Sequence, residues 1–243
     1  MAAFALTNVA ITLDGITVTG YANSVDANAS ADMLDFTTFA SGSWKTMKPG
    51  FQSFTLNLKG FQDYATNALD QAFPLASAGG TDTFTVAPTG GANVADPAFF
   101  GQGLLTNYTP LTGAVGQPAN FDFTWTGINQ FVRGQVLHPS AARTATGNGT
   151  ATTFTTPTAT QALYAAFHVT SVTGTGSIQF KVQTANSLAF TTPNDRITSQ
   201  SFTAAGAQFT SLAGALAGET HIRTTWTITG FTSVTFTVAA GVL

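Results

Sequence analysis

Strict alternation of apolar residues with threonine or another polar residue is the feature that most constrains this chain. It recurs at residues 16–19 (ITVT), 54–58 (FTLNL), 121–125 (FDFTW) and 234–238 (VTFTV). Successive side chains of a β-strand point to opposite faces, so this alternation places apolar side chains on one face of a sheet and polar ones on the other. Strands of this kind are half-buried and pair antiparallel. The sequence therefore predicts an all-β fold.

One segment, residues 63–75, departs from the alternation. Tyr64 and Ala68 recur there at helical spacing, Asp63 is a candidate N-cap, and Pro74 lies near the end. The segment predicts one short amphipathic helix that packs on a sheet.

The composition favours self-assembly. Only 8% of the 243 residues are charged, against about 25% in ordinary soluble domains, whereas 44% are hydrophobic and 21 are phenylalanines. With a net charge of −3, free copies would repel one another weakly, which is a liability unless other copies cover much of the surface. The alternative is a virion or extracellular β protein with solvated, threonine-rich faces. The absence of cysteine excludes disulfides and cysteine-ligated metals.

A change of composition between residues 137 and 152 predicts a domain boundary. The dipeptide His138-Pro139 is followed by the small, polar run TGNGT at residues 146–150, which is typical of a linker. We predict a first domain at residues 1–138, a linker at 139–151 and a second domain at 152–243.

The two halves also differ in charge and in pattern. Residues 1–139 contain nine acidic and four basic residues, a net charge of −5, whereas the remainder contains two acidic and four basic residues, a net charge of +2. About seven short strand-like runs follow the linker, which predicts a second β-sandwich of the jelly-roll or immunoglobulin-like type.

Six short segments of the first half resemble a known family by their joint order and spacing. They are NVAITLDGITV at 8–18, ANSV at 22–25, ADMLDFTTF at 31–39, SWK at 43–45, PGF at 49–51 and LKGFQD at 58–63. Over roughly residues 1–135, the chain resembles the tail tube (major tail) proteins of long, non-contractile bacteriophage tails.

That resemblance implies a structural virion protein rather than an enzyme. A β-sandwich or open barrel with a flanking helix would join five other copies in a hexameric ring, and stacked rings would form a tube that conducts DNA during ejection. The implied partners are further copies of the chain, a tape measure protein, tail terminator and tip proteins, and passing DNA that is not bound specifically. The implied location is the phage tail, assembled in the host cytoplasm, with no membrane association. No stretch of the sequence is long and apolar enough to span a membrane, and no secretory signal is expected.

The resemblance also implies contact residues. A loop at about residues 41–50 would reach the adjacent ring, with Trp44, Lys45, Lys48 and Phe51 as the inter-subunit contacts. The alternative is that Trp44 is a core residue of a hairpin.

An acidic lumen would suit a DNA conduit, because a basic lining would bind the phosphates. Asp14, Asp32, Asp35 and Asp122 are the candidates for this lumen charge. The alternative for each of them is a turn cap or a position on the solvated outside.

In the second half, residues 161–169 and 225–230 resemble, more loosely, the outward-facing domains that decorate phage tails and capsids. Some such domains are similar to carbohydrate-binding modules, for which Tyr164, Phe190 and Trp226 are candidate glycan contacts. The alternation favours Trp226 as a core residue instead. A capsid or tail decoration protein, or a host-glycan-binding module, is therefore the alternative function.

The sequence provides little support for a catalytic function. The three histidines, His138, His168 and His221, are scattered, and neither a nucleophile motif nor a phosphate-binding loop occurs. Glu219 and His221 could share a strand face near Asp195, but a metal or acid–base site there would need a further ligand. We expect no catalytic residue, cofactor or metal, and the few basic residues are not clustered with aromatic ones as in nucleic-acid-binding proteins.

Overall fold

The alternating segments form antiparallel β-strands, which confirms the predicted all-β fold. The computed structural model describes residues 5–65, 69–72, 79–216 and 218–243. Its strands are β1 (Ala10–Leu13), β2 (Ile16–Thr17), β3 (Ala22–Asp35), β4 (Met47–Phe61), β5 (Thr81–Ala87), β6 (Pro97–Thr112), β7 (Asn120–Gly127), β8 (Val132–Arg143), β9 (Gly147–Asn148), β10 (Thr152–Thr153), β11 (Ala162–Thr173), β12 (Ser177–Ala185), β13 (Asn194–Phe202), β14 (Gly206–Ala213), β15 (His221–Thr229) and β16 (Ser233–Val242). A 3₁₀ turn covers Phe39–Ser41, and the helix α1 covers Leu69–Ala72.

The helix predicted at residues 63–75 lies partly outside the described residues. Within them, the chain is helical at Leu69–Ala72, and Leu69 is buried. Asp63 Oδ1 accepts a hydrogen bond from Ala65 N at 2.9 Å. Residues 66–68 lie outside the described residues, so the capping role of Asp63 stays a prediction.

Contacts within the chain define two units, which interleave along the sequence. The larger unit comprises Met1–Tyr21, Asp82–Gln102 and Val132–Leu243, and the hairpin unit comprises Ala22–Thr81 and Gly103–Phe131. Each unit is described separately below.

The larger unit contains two sheets. The first has the strand order β14-β11-β16-β8-β6-β5-β1-β2, and the second has the order β10-β15-β12-β13 with β9 also paired to β15. Apolar faces of both sheets meet in one core: Phe180 on β12 lies 5.5 Å from Phe167 on β11 and 4.8 Å from Phe236 on β16, measured between ring centroids. Complete burial of a phenylalanine contributes about 1.5–3 kcal/mol, so this aromatic cluster is a main source of stability in the sandwich.

The predicted linker at residues 139–151 contains strand residues. Residues 139–143 continue β8, whose partner is β16, and both Gly147–Asn148 and Thr152–Thr153 pair with β15. Small polar residues can therefore join a sheet when a neighbouring strand satisfies their backbone groups. An independent, outward-facing module at residues 152–243 stays a prediction.

The hairpin unit contains a sheet with the order β3-β4-β7-β6. One face of this sheet is apolar and buried. Its side chains are Phe54, Leu56, Leu58, Phe121, Phe123 and Trp125. Tyr108 on β6 stacks on Phe123 with 4.5 Å between ring centroids. The apolar faces predicted from the alternation at residues 54–58 and 121–125 are thus confirmed.

Two histidines are buried in the larger unit. His168 is fully buried, its Nε2 lies 2.9 Å from Thr85 Oγ1, and burial lowers its pKa to about 3. Burial, followed by the charge of Arg143, lowers the pKa of His138 to about 4. Both rings are therefore neutral in the folded protein at pH 7.

We expect the protein to lose stability in acid because of His168. An unfolded histidine binds its proton near pH 6.5, whereas folded His168 does so only near pH 3, so protons favour the unfolded chain as the pH falls through this window. The loss should reach about 2 kcal/mol at pH 5. Denaturant unfolding of the native chain and of His168→Gln between pH 5 and 7 tests this, and parallel pH curves for the two proteins would contradict it.

Candidate assembly surface

The hairpin of β3 and β4 extends beyond the sheet to which it belongs. Its register runs from Ala22 opposite Gly60 to Asp35 opposite Met47, whereas β7 pairs with β4 only over residues 55–61. Residues 28–54 therefore form an arm, in which the two strands have no third strand beside them among the described residues. The side chains of the β3 half of the arm are all exposed. At about 3.4 Å per residue, the paired part of the arm is roughly 25 Å long.

The tip of the arm, residues 36–46, is held in shape by local hydrogen bonds. The side chain and backbone of Thr37 donate to Asp35 and thereby lower the pKa of the Asp35 carboxyl group. Thr37 Oγ1 accepts from Thr46 N at 3.0 Å, and Phe36 N donates to Thr46 O at 2.8 Å. The tip is therefore a preorganised loop, although its side chains are exposed.

Large apolar side chains cover this tip and the adjoining strands. We call them the tip patch: Met33, Leu34, Phe36, Phe39, Trp44, Met47 and Phe51. Trp44 is 84% exposed, Phe51 is 88% exposed, and Phe39 is fully exposed. Contiguous exposed apolar patches on monomeric proteins rarely exceed a few hundred Å², and a single buried aromatic side chain accounts for about 150–250 Å². The tip patch is therefore the candidate contact surface of the arm.

The structure brings the predicted contact residues together on the arm. Lys45 Nζ lies 3.9 Å from Asp35 Oδ2, and Lys48 Nζ lies 5.0 Å from the centroid of the Phe36 ring. The alternative of Trp44 as a core residue is wrong, because its side chain is exposed to solvent. A contact role for Trp44, Lys45, Lys48 and Phe51 stays a prediction.

The opposite end of the same sheet also presents apolar side chains. Phe61 pairs with Asn120, so the β6–β7 turn at residues 113–119 lies at the end of β4 that is remote from the tip. The exposed side chains at this end, which we call the far-end patch, are Phe61, Tyr64, Leu111 and Val115. Two carboxylates, Asp63 and Asp70, belong to the same end.

The outer face of the hairpin-unit sheet is polar and nearly uncharged. Cross-strand neighbours on this face form the row Asp26, Asn57, Thr124 and Asn107. Thr124 Oγ1 donates to Asn57 Oδ1 at 2.9 Å. A second pair on this face, Lys59 Nζ and Asp122 Oδ2, lies 2.6 Å apart, so the lysine is neutralised within the chain.

The four aspartates predicted for a lumen belong to different elements, and their lumen role stays a prediction. Asp122 lies on the outer face and is paired with Lys59, whereas Asp32 and Asp35 belong to the arm. Asp14 belongs to the larger unit, where it occupies a turn with a φ of 42°. Burial, and secondarily the charge of Asp82, raises the pKa of Asp14 to about 6.

The structure buries the three candidate glycan contacts. Tyr164, Phe190 and Trp226 are each at most 9% exposed. Trp226 Nε1 donates to Ala145 O at 2.9 Å, as expected for a tryptophan in a core, and the guanidinium of Arg223 lies over the Phe190 ring. Glycan contact through these rings is wrong for the folded chain, because their faces are occupied by protein.

The site considered at Glu219, His221 and Asp195 is not assembled either. Glu219 binds Arg196, and Asp195 binds Lys181 with 2.6 Å between Oδ2 and Nζ. Within the described part of the chain, no group of three or more His, Cys, Asp or Glu side chains is placed to hold a metal ion. No described helix is long and apolar enough to span a membrane.

Sequence reasoning missed the far-end patch and the Glu219–Arg196 pair. The far-end patch combines residues of β4, of the following loop and of the β6–β7 turn, and only the sheet register brings them to one end. Glu219 and Arg196 are 23 residues apart, with no local motif that links them.

Comparison with known proteins yields fold neighbours but no family. No protein-family model and no curated protein matches the sequence. A chain of the native gene transfer agent virion is 17% identical, with a TM-score of 0.44 over 53% of this chain and 97% of that one. The Dit protein of phage SPP1, described as a hub adsorption apparatus, is 12% identical, with a TM-score of 0.38 over 97% of this chain and 99% of that one.

A chain of the activated phage p2 baseplate is 8% identical, with a TM-score of 0.32 over 95% of this chain and 97% of that one. Likenesses this distant carry no argument about function. The structure by itself defines an all-β protein with an exposed arm, whose tip patch is the candidate assembly surface.

Proposed function

We propose that this chain is a structural, non-enzymatic protein of a bacteriophage tail that polymerises as stacked hexameric rings into the tail tube. The observation that carries the proposal is the arm: an ordered tip that holds Phe39 and Trp44 in solvent, with Phe51 exposed on the adjoining strand β4. Exposed aromatics on a preorganised loop bind with little loss of conformational entropy, so they are suited to repeated contact between copies. The resemblance of residues 1–135 to tail tube proteins supports the same role.

Stacking follows from the two apolar patches. The tip patch and the far-end patch lie at opposite ends of one sheet, so the tip of one copy can dock on the far end of the next. A contact between two different surfaces is heterologous. It generates an open polymer when the symmetry operation that relates neighbouring copies does not close into a ring. Lys45 and Lys48 would then face Asp63 and Asp70 of the adjacent copy.

Closure into a ring needs a second, lateral contact. Among the described residues β3 pairs with β4 alone, so its other edge offers unpaired N–H and C=O groups to a neighbouring copy. A ring removes such edges because each copy covers the edge of the next. The exposed length of β3 makes it our candidate for the lateral contact.

The outer face of the same sheet would line the lumen. DNA carries one negative charge per about 1.7 Å of its axis, so any free lysine on this wall would retain it. Lys59 is neutralised by Asp122 at 2.6 Å, and Asp26 leaves the face weakly acidic. Such a wall lets DNA pass without binding it, with Asp26 and Asp122 in the lumen and Asp32 and Asp35 on the arm.

Negative-stain electron microscopy of the purified protein at high concentration, with particle mass recorded in solution, tests the proposal. Hollow rings or tubes with a central hole are the expected result. A monomer or trimer that stays unassembled in the presence of a tail-tip complex would overturn the tube and favour a decoration protein.

Head-to-tail stacking predicts a specific cross-link. Because the chain contains no cysteine, single cysteines introduced as Ser43→Cys, beside Trp44 at the tip, and Val115→Cys at the far end are unambiguous reporters. Oxidation of assembled mixtures of the two variants should give disulfide-linked dimers, whereas each variant alone should stay uncross-linked. Thr203→Cys, an exposed position of the larger unit, is the control. Dimers of Ser43→Cys alone would indicate tip-to-tip pairing and contradict the heterologous contact.

A further inference from the structure

A groove of about 760 Å³ opens on the larger unit, apart from the arm and the far-end patch. The beginning of β8, the segment after β10, the beginning of β11 and the end of β16 line it. Its volume falls within the range of about 300–1,000 Å³ that is typical of small-ligand pockets. Nothing in the proposed assembly uses this groove.

The groove contains an unpaired guanidinium. Arg133 is exposed at the beginning of β8 and has no hydrogen-bond or ion-pair partner among the described residues. The other basic side chains of the unit are engaged: Arg143 with His138, Lys181 with Asp195, Arg196 with Glu219 and Arg223 with Gln183. The described residues that line the groove include no acidic one. Arg133 is therefore free to bind a carboxylate from outside the chain.

Two amide side chains in the groove are oriented by the protein. Gln161 Oε1 accepts hydrogen bonds from Thr158 N at 3.1 Å and Thr158 Oγ1 at 3.0 Å, which leaves its Nε2 group as a free donor. Gln135 Nε2 donates to Thr153 O at 2.9 Å, which leaves its Oε1 as a free acceptor. The groove thus holds one fixed donor and one fixed acceptor beside the guanidinium.

Two further features of the groove are typical of a binding surface. Phe154 is half-buried, packs against the core of the unit and lines the groove. Ala95, on the rim, has a φ of 73°, which is strained for a residue with a Cβ, and its N–H donates to Val136 O at 2.9 Å. Strained backbone of this kind concentrates at ligand sites, where the surrounding structure holds it in place.

We propose that this groove binds a carboxylate-bearing saccharide. Sugar hydroxyl groups both donate and accept hydrogen bonds, which matches the oriented amides of Gln135 and Gln161. The C–H face of a sugar ring can pack on Phe154, and the guanidinium of Arg133 binds a carboxylate through two parallel hydrogen bonds. An acidic peptide would also use Arg133, and its backbone groups would pair with the two amides, but aspartate and glutamate side chains offer no apolar ring face to Phe154.

Titration of the full chain with short uronic-acid oligosaccharides and with N-acetylneuraminic acid, followed by amide and side-chain NMR shifts, tests the proposal. We expect shifts at Gln135, Gln161 and Arg133 at millimolar ligand, and no shifts with a neutral oligosaccharide of equal length. Arg133→Met should weaken binding at least tenfold, because it removes the charge and keeps the aliphatic stem.

Lys181→Met, an exposed cation outside the groove, is the matched control and should bind like the native chain. Unchanged thermal unfolding of Arg133→Met would show that the loss of binding is not a loss of fold. Three results would overturn the proposal: no shifts with any acidic sugar, equal binding of neutral and acidic sugars, or binding of a glutamate-rich peptide in place of the sugars. Each of them would leave the assembly role untouched, because that role is measured by electron microscopy.

Discussion

A variant with Phe39→Ser and Trp44→Ser is expected to stay folded and to lose polymerisation. Both side chains are exposed in the single chain, so their replacement should change the free energy of unfolding by no more than about 0.5 kcal/mol. At an interface, in contrast, each would be buried and would contribute about 1.5–3 kcal/mol. Losing both at every contact should raise the concentration needed for assembly by roughly two to four orders of magnitude.

Sedimentation and electron microscopy over a concentration series measure this effect, and thermal unfolding confirms that the variant is folded. Leu188→Ser is the matched control, because Leu188 is an exposed apolar residue of the larger unit, 62% exposed, and lies outside both patches. The control should polymerise like the native chain. If the double variant polymerised at the same concentrations as the native chain, the tip would not be part of the assembly contact.

Alternation predicted strands well where one face of a strand is buried. β4 and β7 alternate because Phe54, Leu56 and Phe123 enter a core while their neighbours face water. β3 does not alternate, since from Asp26 onwards both of its faces are exposed and no burial pattern exists to be detected. The arm was therefore anticipated through a family resemblance and not through periodicity.

The candidate site was predictable in part. The family resemblance predicts Trp44 and Phe51 as contacts. A tryptophan next to Lys45, however, has the same local sequence whether its hairpin is buried or exposed. Only the register of the sheet shows that the β3–β4 hairpin extends beyond the end of β7. The groove at Arg133 and the far-end patch depend on contacts between distant segments, for which local spacing provides no signal.

A buried ion pair in the larger unit has the largest expected effect on stability. Glu219 is 2% exposed, and Arg196 holds both of its carboxylate oxygens, with Nε 2.9 Å from Oε2 and Nη2 2.5 Å from Oε1. Thr184 Oγ1 and Asn194 Nδ2 also donate to this carboxylate. Burial alone would raise the pKa of Glu219, but these hydrogen bonds outweigh it and lower the pKa below its ordinary value.

Arg196→Met should therefore reduce the free energy of unfolding by about 3–5 kcal/mol at pH 7, because it leaves a buried carboxylate without its partner. The double variant Arg196→Met/Glu219→Gln should recover part of this loss, since it removes the uncompensated charge. Its amide oxygen can still accept from Asn194 Nδ2, and its Nε2 group can donate to the Thr184 hydroxyl. Denaturant unfolding of the three proteins measures both effects. A double variant no more stable than Arg196→Met would show that the uncompensated charge of Glu219 is not the source of the loss.

The pH dependence provides a second check on the same pair. In the native chain the pKa of Glu219 is lowered on folding, so its contribution is present above the unfolded pKa of about 4.3 and is lost as the pH falls through the folded value. In Arg196→Met, burial without the guanidinium should raise the pKa, and protonation then relieves the buried charge. The stability difference between the two proteins should accordingly shrink as the pH is lowered from 7 to 4, whereas a difference that stays constant would exclude an electrostatic origin.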